Sequence, residues 1–481
     1  VSGGFRSRAA GRRQTATQQR RAVDAPKSAA GRGEVREKRA SIGDPAREVA
    51  WEVLYRVAED NAFANLVLPK LLRERRIKGR DAAFATELTY GALRSLGVLD
   101  AVIADCSSRP LDRIAPEVLA ALRLGTYQLL YTRVEPHAAV DTSVSLVEAA
   151  GQPKATGFAN GILRTISRTP AQQWMDRLAP AEPLANLAFR TAHPEWIARS
   201  FARVLGEGEL EHALAADSER PIVHLVARPG EISAEELALI TGGEEGRYSP
   251  YAVYLPEGDP GQLEPVCDGL AAVQDEGSQL IARAAATVPV EDDRGRWLDL
   301  CAGPGGKAAL MGSLAAIDGA HVDAIEISEH RAELIRKAVR GLPVTVRTAD
   351  GRDPGLEPGY DRVLVDAPCS GLGALRRRPE ARWTKSEGDI AGLNTLQSEL
   401  LASAIRMAKP GGVIVYSTCS PDARETREIV DAALSAGGVE ELDARQFVGG
   451  MDNVGAGPAV QMWPHRHGTD AMFLAVLRKI G

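Results

Sequence analysis

The stretch LDLCAGPGGKAAL, residues 298–310, decides how this chain is read. An apolar run breaks into a turn holding Gly303, Gly305 and Gly306, and helix-forming residues follow at once. Glycine lets the backbone turn sharply and lets a ligand approach it closely, and the next helix aims its free N–H groups at the same place. The spacing is neither GxGxxG nor GxxxxGK followed by Ser or Thr, so dinucleotide and P-loop readings both fit poorly.

Around this turn, from residue 276 onward, the apolar runs WLDLC, VDAIEI, YDRVLVDA and GGVIVYSTC alternate with the helical stretches HRAELIRKAV and TLQSELLASAIRMA. That alternation predicts a parallel sheet covered by helices over 276–481, whose ligands sit at the carboxyl ends of the strands. The second strand ends in IEIS, where Glu326 can accept both hydroxyls of a ribose, and Asp350 in TADGRD marks a third strand end. Either acid alone reads equally well as a loop residue or helix cap. Together with the glycine turn they suit S-adenosyl-L-methionine, the turn facing its amino-acid part, Glu326 the ribose and Asp350 the adenine side.

Two further strand ends read VDAPCSG (365–371) and VYSTCSP (415–421), bringing Cys369, beside Asp366, and Cys419 to one pocket mouth. Cysteine is often only a small buried hydrophobe, the reading kept for Cys106, Cys267 and Cys301. A pair at adjacent strand ends suits pyrimidine methylation. Carbon 5 of cytosine is too weak a nucleophile until a thiolate adds to carbon 6 and makes it enamine-like. An acid near N3 stabilises the charge that develops, and a base then removes the carbon 5 proton.

Upstream, SIGDPAREVAWEVLYRV (41–57) offers Asp44 as a helix cap and Pro45 at the first turn, with Val49, Val53 and Val57 on one stripe. Similar patterns continue, predicting an all-α domain over 45–172. Residues 173–275 mix helix-like LANLAFRTAHPEWIARSFARVL with strand-like PIVHLVA and frequent Pro and Gly, predicting a small α+β connecting module. Residues 1–44 form a basic tail. Over 1–40, 11 Lys/Arg face 3 Asp/Glu, leaving 47 against 61 elsewhere. Such a tail is expected to be disordered, either touching RNA nonspecifically or merely solvated.

Hydrophobic residues make up 44% of the 481 and charged residues 25%, as in a soluble multidomain protein. No apolar run approaches the ~18–20 residues that span a bilayer, and the basic start lacks the apolar core of a signal peptide. The 5 cysteines show no metal-ligand spacing, so neither a metal site nor a disulfide framework is expected, and the cytoplasm is the expected compartment.

In combination, LDLCAGPGGK, DGRDP, YDRVLVDAPCSG continuing into RRRPEARW, and YSTCS, preceded by VQDEGSQL, resemble the RsmB (Sun/Fmu) group of bacterial 16S rRNA cytosine-5 methyltransferases, within the NOL1/NOP2/Sun family. DAAFATELTYGALR, HAAVDTSVSLVEAA and FANGILR resemble the NusB-like RNA-binding domain that precedes the catalytic domain in that group. The resemblance implies a Rossmann-like class I methyltransferase domain after the helical one. It also implies methylation of a cytosine in 16S rRNA, position 967 in the customary numbering. By the same likeness Cys419 is the nucleophile, Cys369 assists release of the product, Asp366 hydrogen-bonds the cytosine, and Lys307 lies at the catalytic pocket. Cys301, Ala302, Gly303, Pro304, Gly305, Gly306, Lys307, Glu326, Asp350 and Asp366 fall on the cofactor-binding positions.

The sequence departs from the family pattern twice. PDARETRE follows TCS where PEEN-like segments are common, with Thr426 for Asn, and Gly303 stands where Ala is common. Arg376, Arg377, Arg378 and Arg382, with Trp383, are expected to form an RNA surface, a solvated basic loop being the alternative. His465 and His467 read as structural or RNA-facing. The expected partner is 16S rRNA or a partly assembled small ribosomal subunit, met by a monomer. A tRNA or other RNA substrate remains open, as does a noncatalytic RNA-binding protein, against which the retained Cys369, Cys419, Asp366, Lys307 and glycine turn speak.

Overall fold

The computed structural model describes residues 41–481; the basic segment 1–40 lies outside the described residues. The first helix, Pro45–Glu59, starts where its cap predicts, the Asp44 side chain accepting from the Arg47 N–H at 3.0 Å. Residues 41–44, expected to belong to a disordered tail, are instead tied down. Ser41 Oγ and the Ile42 N–H both donate to Glu48 Oε1, at 2.6 and 2.7 Å.

Seven more helices follow, Ala64–Glu74, Gly79–Arg94, Leu96–Cys106, Pro116–Tyr131, Pro136–Ala149, Thr156–Ser167 and Ala171–Leu178. They share one core that includes the predicted stripe Val49, Val53 and Val57 with Leu88, Leu122 and Ile166. The last helix crosses the boundary expected at 172, because Trp174 is buried in this same core.

Helices Pro183–Arg190, Glu195–Leu205 and Glu207–Ala216 then lead into a small antiparallel sheet. Its strands are β1 (Val223–Ala227), β2 (Glu244–Glu245), β3 (Ala252–Leu255) and β4 (Ala271–Val273), in the order β2-β3-β1-β4. Helix Glu276–Thr287, capped by Asp275, joins it to the large sheet.

The large sheet holds β5 (Arg296–Asp299), β6 (His321–Glu326), β7 (Val344–Thr348), β8 (Tyr360–Asp366), β9 (Ala408–Thr418), β10 (Val439–Leu442), β11 (Val460–Gln461) and β12 (Phe473–Lys479). The order is β7-β6-β5-β8-β9-β12-β10. The strands from β7 to β9 run parallel, β12 is antiparallel to both neighbours, and β11 adds to β12. Successive side chains of a strand point to opposite faces, so a sheet covered on both sides reads as a continuous apolar run. Thus Trp297, Leu364 and Val415 enter one core with Leu280 and Met311, while Leu298, Val363, Val365, Ile414 and Tyr416 enter the other with Leu400 and Ile429. The strand order reverses between β5 and β8, which opens a crevice at their carboxyl ends.

The segment after VDAPCSG keys the helical domain onto the domain of the large sheet. Trp383 Nε1 donates to Leu93 O at 2.8 Å, and its ring lies where a Cβ on Gly97 would approach within 2.5 Å. Glu380 accepts from the Ala64 N–H at 3.3 Å, at the start of the second helix. Trp383, expected on an RNA surface, is therefore half-buried against the helical domain.

Among the described residues no helix is long and apolar enough to cross a membrane, and no group of three or more His, Cys, Asp or Glu is placed to hold a metal ion. Trp383→Ala is expected to lower stability by about 2–3 kcal/mol through lost packing and one lost hydrogen bond. Urea denaturation checks this, and an unchanged midpoint would show that the ring does not hold the two domains together.

Candidate active site

Strand β5 ends at Asp299, and the glycine turn that follows is pinned to both neighbouring strands. Leu300 N–H donates to Leu364 O at 3.0 Å and Ala302 N–H to Ile325 O at 2.9 Å. Gly305 has φ +116°, and a Cβ there would meet Ile335 and Ala338 at 3.1 Å, so the turn into helix Gly306–Asp318 requires glycine. Asp299 is fully buried beside this turn. Its Oδ1 accepts from the Cys301 N–H at 3.2 Å while Oδ2 has no partner. Burial first, then the charge of Asp366, push its carboxyl up to about 7.

Gly303 has a reason of its own. A Cβ there would fall 2.1 Å from Glu326 Oε2, so the missing methyl is the space that the carboxylate fills. Glu326 Oε1 accepts from the Ser328 N–H at 2.9 Å. Arg331 ties the ends of β5 and β6 together, donating to Gly303 O at 2.7 Å with its other nitrogen 3.4 Å from Glu326 Oε2. Asp350, beyond β7, is clasped by Arg352, which holds its carboxyl below the usual range.

Strands β8 and β9 pair in parallel with Asp366 opposite Ser417, so the loops carrying the two cysteines leave the same edge. Cys369 Sγ and Cys419 Sγ stand 3.3 Å apart. Lys307 Nζ, reaching over from the glycine turn, donates to Asp366 Oδ2 at 2.7 Å, and Ser417 Oγ donates to Asp366 Oδ1 at 2.9 Å. The hydrogen bond from Cys369 pulls the Cys419 thiol down, and the charges of Arg378 and Lys307 add to this against the cost of burial. Cys369 is pushed well above the usual thiol range, first by the same hydrogen bond and then by burial. The two thiols are thus shifted in opposite directions, Cys419 downward and Cys369 upward. Burial opposes the Lys307 charge, but Asp366 outweighs it and raises its pKa.

The loops are braced by Glu425, a buried residue that the sequence reading did not single out. It accepts from the Ser370 N–H at 2.8 Å, from Gln397 Nε2 at 3.1 Å and from Ser370 Oγ, and its carbonyl takes Tyr416 Oη at 2.8 Å. Thr426, the departure from the family pattern, closes the turn with Oγ1 on Asp422 O at 2.8 Å. Asp299 was legible as an acid directly before the glycine turn; Glu425 gave no local signal, because its role lies in reaching a different loop.

Comparison with known proteins places the chain in a family. Residues 284–478 match the family model described as 16S rRNA methyltransferase RsmB/F, and residues 44–168 match that of the NusB family. A Mycobacterium tuberculosis protein named as a methyltransferase is 56% identical over 443 residues, covering 91% of this chain and 97% of the relative. The ribosomal RNA small subunit methyltransferase B of Salmonella newport is 32% identical over 424 residues, covering 84% and 95%. The chain belongs to the RsmB/F family of ribosomal RNA methyltransferases. Its fold is also that of the crystal structure of PH0851, with a TM-score of 0.79 at 22% identity over 92% of this chain and 100% of that one.

In this RsmB/F chain, three of the four arginines expected to meet RNA do other work. Arg382 is fully buried and donates to Ala192 O, Ser218 Oγ and Asp217 O. Burial pulls it down to about 10, against the pull of Asp217. Arg376 and Arg377 both donate to Asp470, the last residue of the stretch HGTD (467–470), and Arg377 also to Asp275. Charge-assisted bonds to buried carboxylates take these guanidinium groups away from solvent. Arg378, half-exposed like Arg377, lies on the thiol side. His467 is buried between the Trp463 N–H and Asp452 O, and His465 pairs with Glu209 at 3.0 Å, so both are structural.

Because only the thiolate reacts, the lowered Cys419 should be alkylated by iodoacetamide at a pH below the ordinary thiol value, while Cys369 stays unlabelled. Removing the donor in Cys369→Ala should move the Cys419 profile to higher pH. Site-resolved mass spectrometry checks both, and labelling of Cys369 first would reverse the assignment.

Proposed function

We infer that the protein methylates carbon 5 of a cytosine in 16S rRNA, with S-adenosyl-L-methionine as donor and a covalent Cys419–carbon 6 adduct as the activated form. The observation that carries this reading is the thiol pair, 3.3 Å apart, beside the Asp366–Lys307 ion pair at the cofactor end of the sheet.

The cofactor fits what surrounds the crevice. Exposed Gly306 opens the helix N-terminus to an amino-acid carboxylate, Glu326 lies at the second strand end for ribose hydroxyls, and Asp350 stands on the adenine side. When bound, S-adenosyl-L-methionine supplies an electrophilic methyl group.

The chain's own residues do the rest. Cys419, its thiol lowered by the hydrogen bond with Cys369, adds to carbon 6 as the thiolate. Asp366, steadied by Ser417 and Lys307, hydrogen-bonds the pyrimidine on the N3 side. The Lys307 ammonium, kept charged by Asp366, offsets negative charge developing on the ring. Cys369 holds a proton within reach of the Cys419 sulfur and assists expulsion of the thiol once carbon 5 has lost its proton. Position 967 is the first nucleotide to inspect, and methylation profiling of total RNA from cells lacking the protein separates 16S rRNA from tRNA as the substrate.

Cys419→Ala should abolish methyl transfer while cofactor binding survives. Cys369→Ala should trap a protein–RNA adduct visible on a denaturing gel. An adduct with Cys419→Ala instead would exchange the two roles, and undiminished turnover in Cys419→Ala would sink the covalent mechanism.

A further inference from the structure

Gln274 is only 8% exposed, yet neither Nε2 nor Oε1 of its carboxamide has a hydrogen-bond partner. A buried amide left unpaired costs on the order of 1–3 kcal/mol, so this one needs a reason. Its backbone is fixed on both sides, the N–H donating to His224 O at 3.0 Å and the carbonyl accepting from Gln279 Nε2 at 3.0 Å. Gln279 makes the contrast. It is fully buried nearby, and its amide is satisfied by Leu225 O, Gln274 O and Ser249 Oγ, as a structural glutamine should be.

The unpaired carboxamide points at the glycine turn. From the position of a Cβ on Gly306, the nearest atoms from outside its own helix are those of Gln274, with Cγ at 4.0 Å, Cδ at 3.6 Å and Nε2 at 3.5 Å. Gly306 is exposed and opens helix Gly306–Asp318, whose first N–H groups have no intrahelical acceptor and carry the positive end of the helix dipole. Two independent features, an open helix N-terminus and a buried unpaired amide, thus converge on one spot.

We propose that Gln274 is a further cofactor-binding residue, its Nε2 donating to the carboxylate of the cofactor's amino-acid end beside the helix N-terminus, and its Oε1 accepting from the neighbouring ammonium. This rests on the reading of the cofactor as S-adenosyl-L-methionine. A zwitterion supplies an acceptor and a donor side by side, which the two ends of one carboxamide require. A phosphate offers no comparable donor. The pyrimidine edge belongs with the thiols at the ends of β8 and β9, whereas Gln274 faces the turn after β5.

The test is calorimetric titration of the full chain, Gln274→Leu and Gln274→Glu with S-adenosyl-L-methionine and with 5′-deoxy-5′-methylthioadenosine, which keeps the adenosine and thioether but lacks the amino-acid end. Gln274→Leu should weaken S-adenosyl-L-methionine by roughly 10-fold, as loss of a hydrogen bond to a charged group does. Gln274→Glu should weaken it further by placing one carboxylate against another. Both variants should bind methylthioadenosine as the unaltered chain does, which also shows that they are folded. Equal affinity of all three proteins for S-adenosyl-L-methionine would overturn the proposal, as would equal losses for both ligands. No binding of S-adenosyl-L-methionine by the unaltered chain would overturn the cofactor reading itself, and this assignment with it.

Discussion

The hydrogen bond between Cys369 and Cys419 ties the chemistry to the fold. It exists because β8 and β9 are parallel neighbours in a register that sets Asp366 against Ser417, so that residues 3 and 2 positions further on meet over one strand edge. A thiol beside another thiol must settle which keeps the proton. The shared hydrogen bond, helped by Arg378 and Lys307, lowers Cys419, whereas the same bond, burial and the charge of Glu425 raise Cys369. The Asp366–Lys307 pair reinforces this by joining the glycine turn to the same edge.

Holding two loops at that separation requires bracing from outside them. Glu425 receives the Ser370 backbone, and Gly373 N–H donates to Cys419 O at 2.9 Å while its carbonyl takes the Ala471 N–H at 2.8 Å. A Cβ on Gly373 would lie 2.0 Å from Ala471 O, so only glycine permits this approach. From there the chain runs through Arg376 and Arg377 to the HGTD carboxylate, through Arg382 to the connecting helices, and through Trp383 to the helical domain. One segment thus binds the catalytic loop to the C-terminal motif, the connecting module and the NusB-like domain.

That segment also shows where sequence reading fails. RRRPEARW looks like a basic RNA surface because charge is counted along the chain, whereas the buried carboxylate Asp470 and the carbonyls at 192 and 217 that satisfy its arginines are remote in sequence. Burying such charges is tolerable only when they are paired, and the partners appear only after folding. Thr426 and Gly303 looked like departures and prove to be local solutions, one closing a turn and the other making room for Glu326.

The sequence by itself determined the helical stripe of Val49, Val53 and Val57, the doubly covered strands and the glycine turn, and it marked the strand-end acids and cysteines. These follow from periodicity and from backbone demands that a few neighbouring residues satisfy or violate. Tertiary structure alone decided the 3.3 Å meeting of the thiols, the brace through Glu425, the inward turn of three arginines and the unpaired amide of Gln274 beside Gly306. Each depends on partners tens to hundreds of residues away, and pairing, burial and desolvation act through space rather than along the chain.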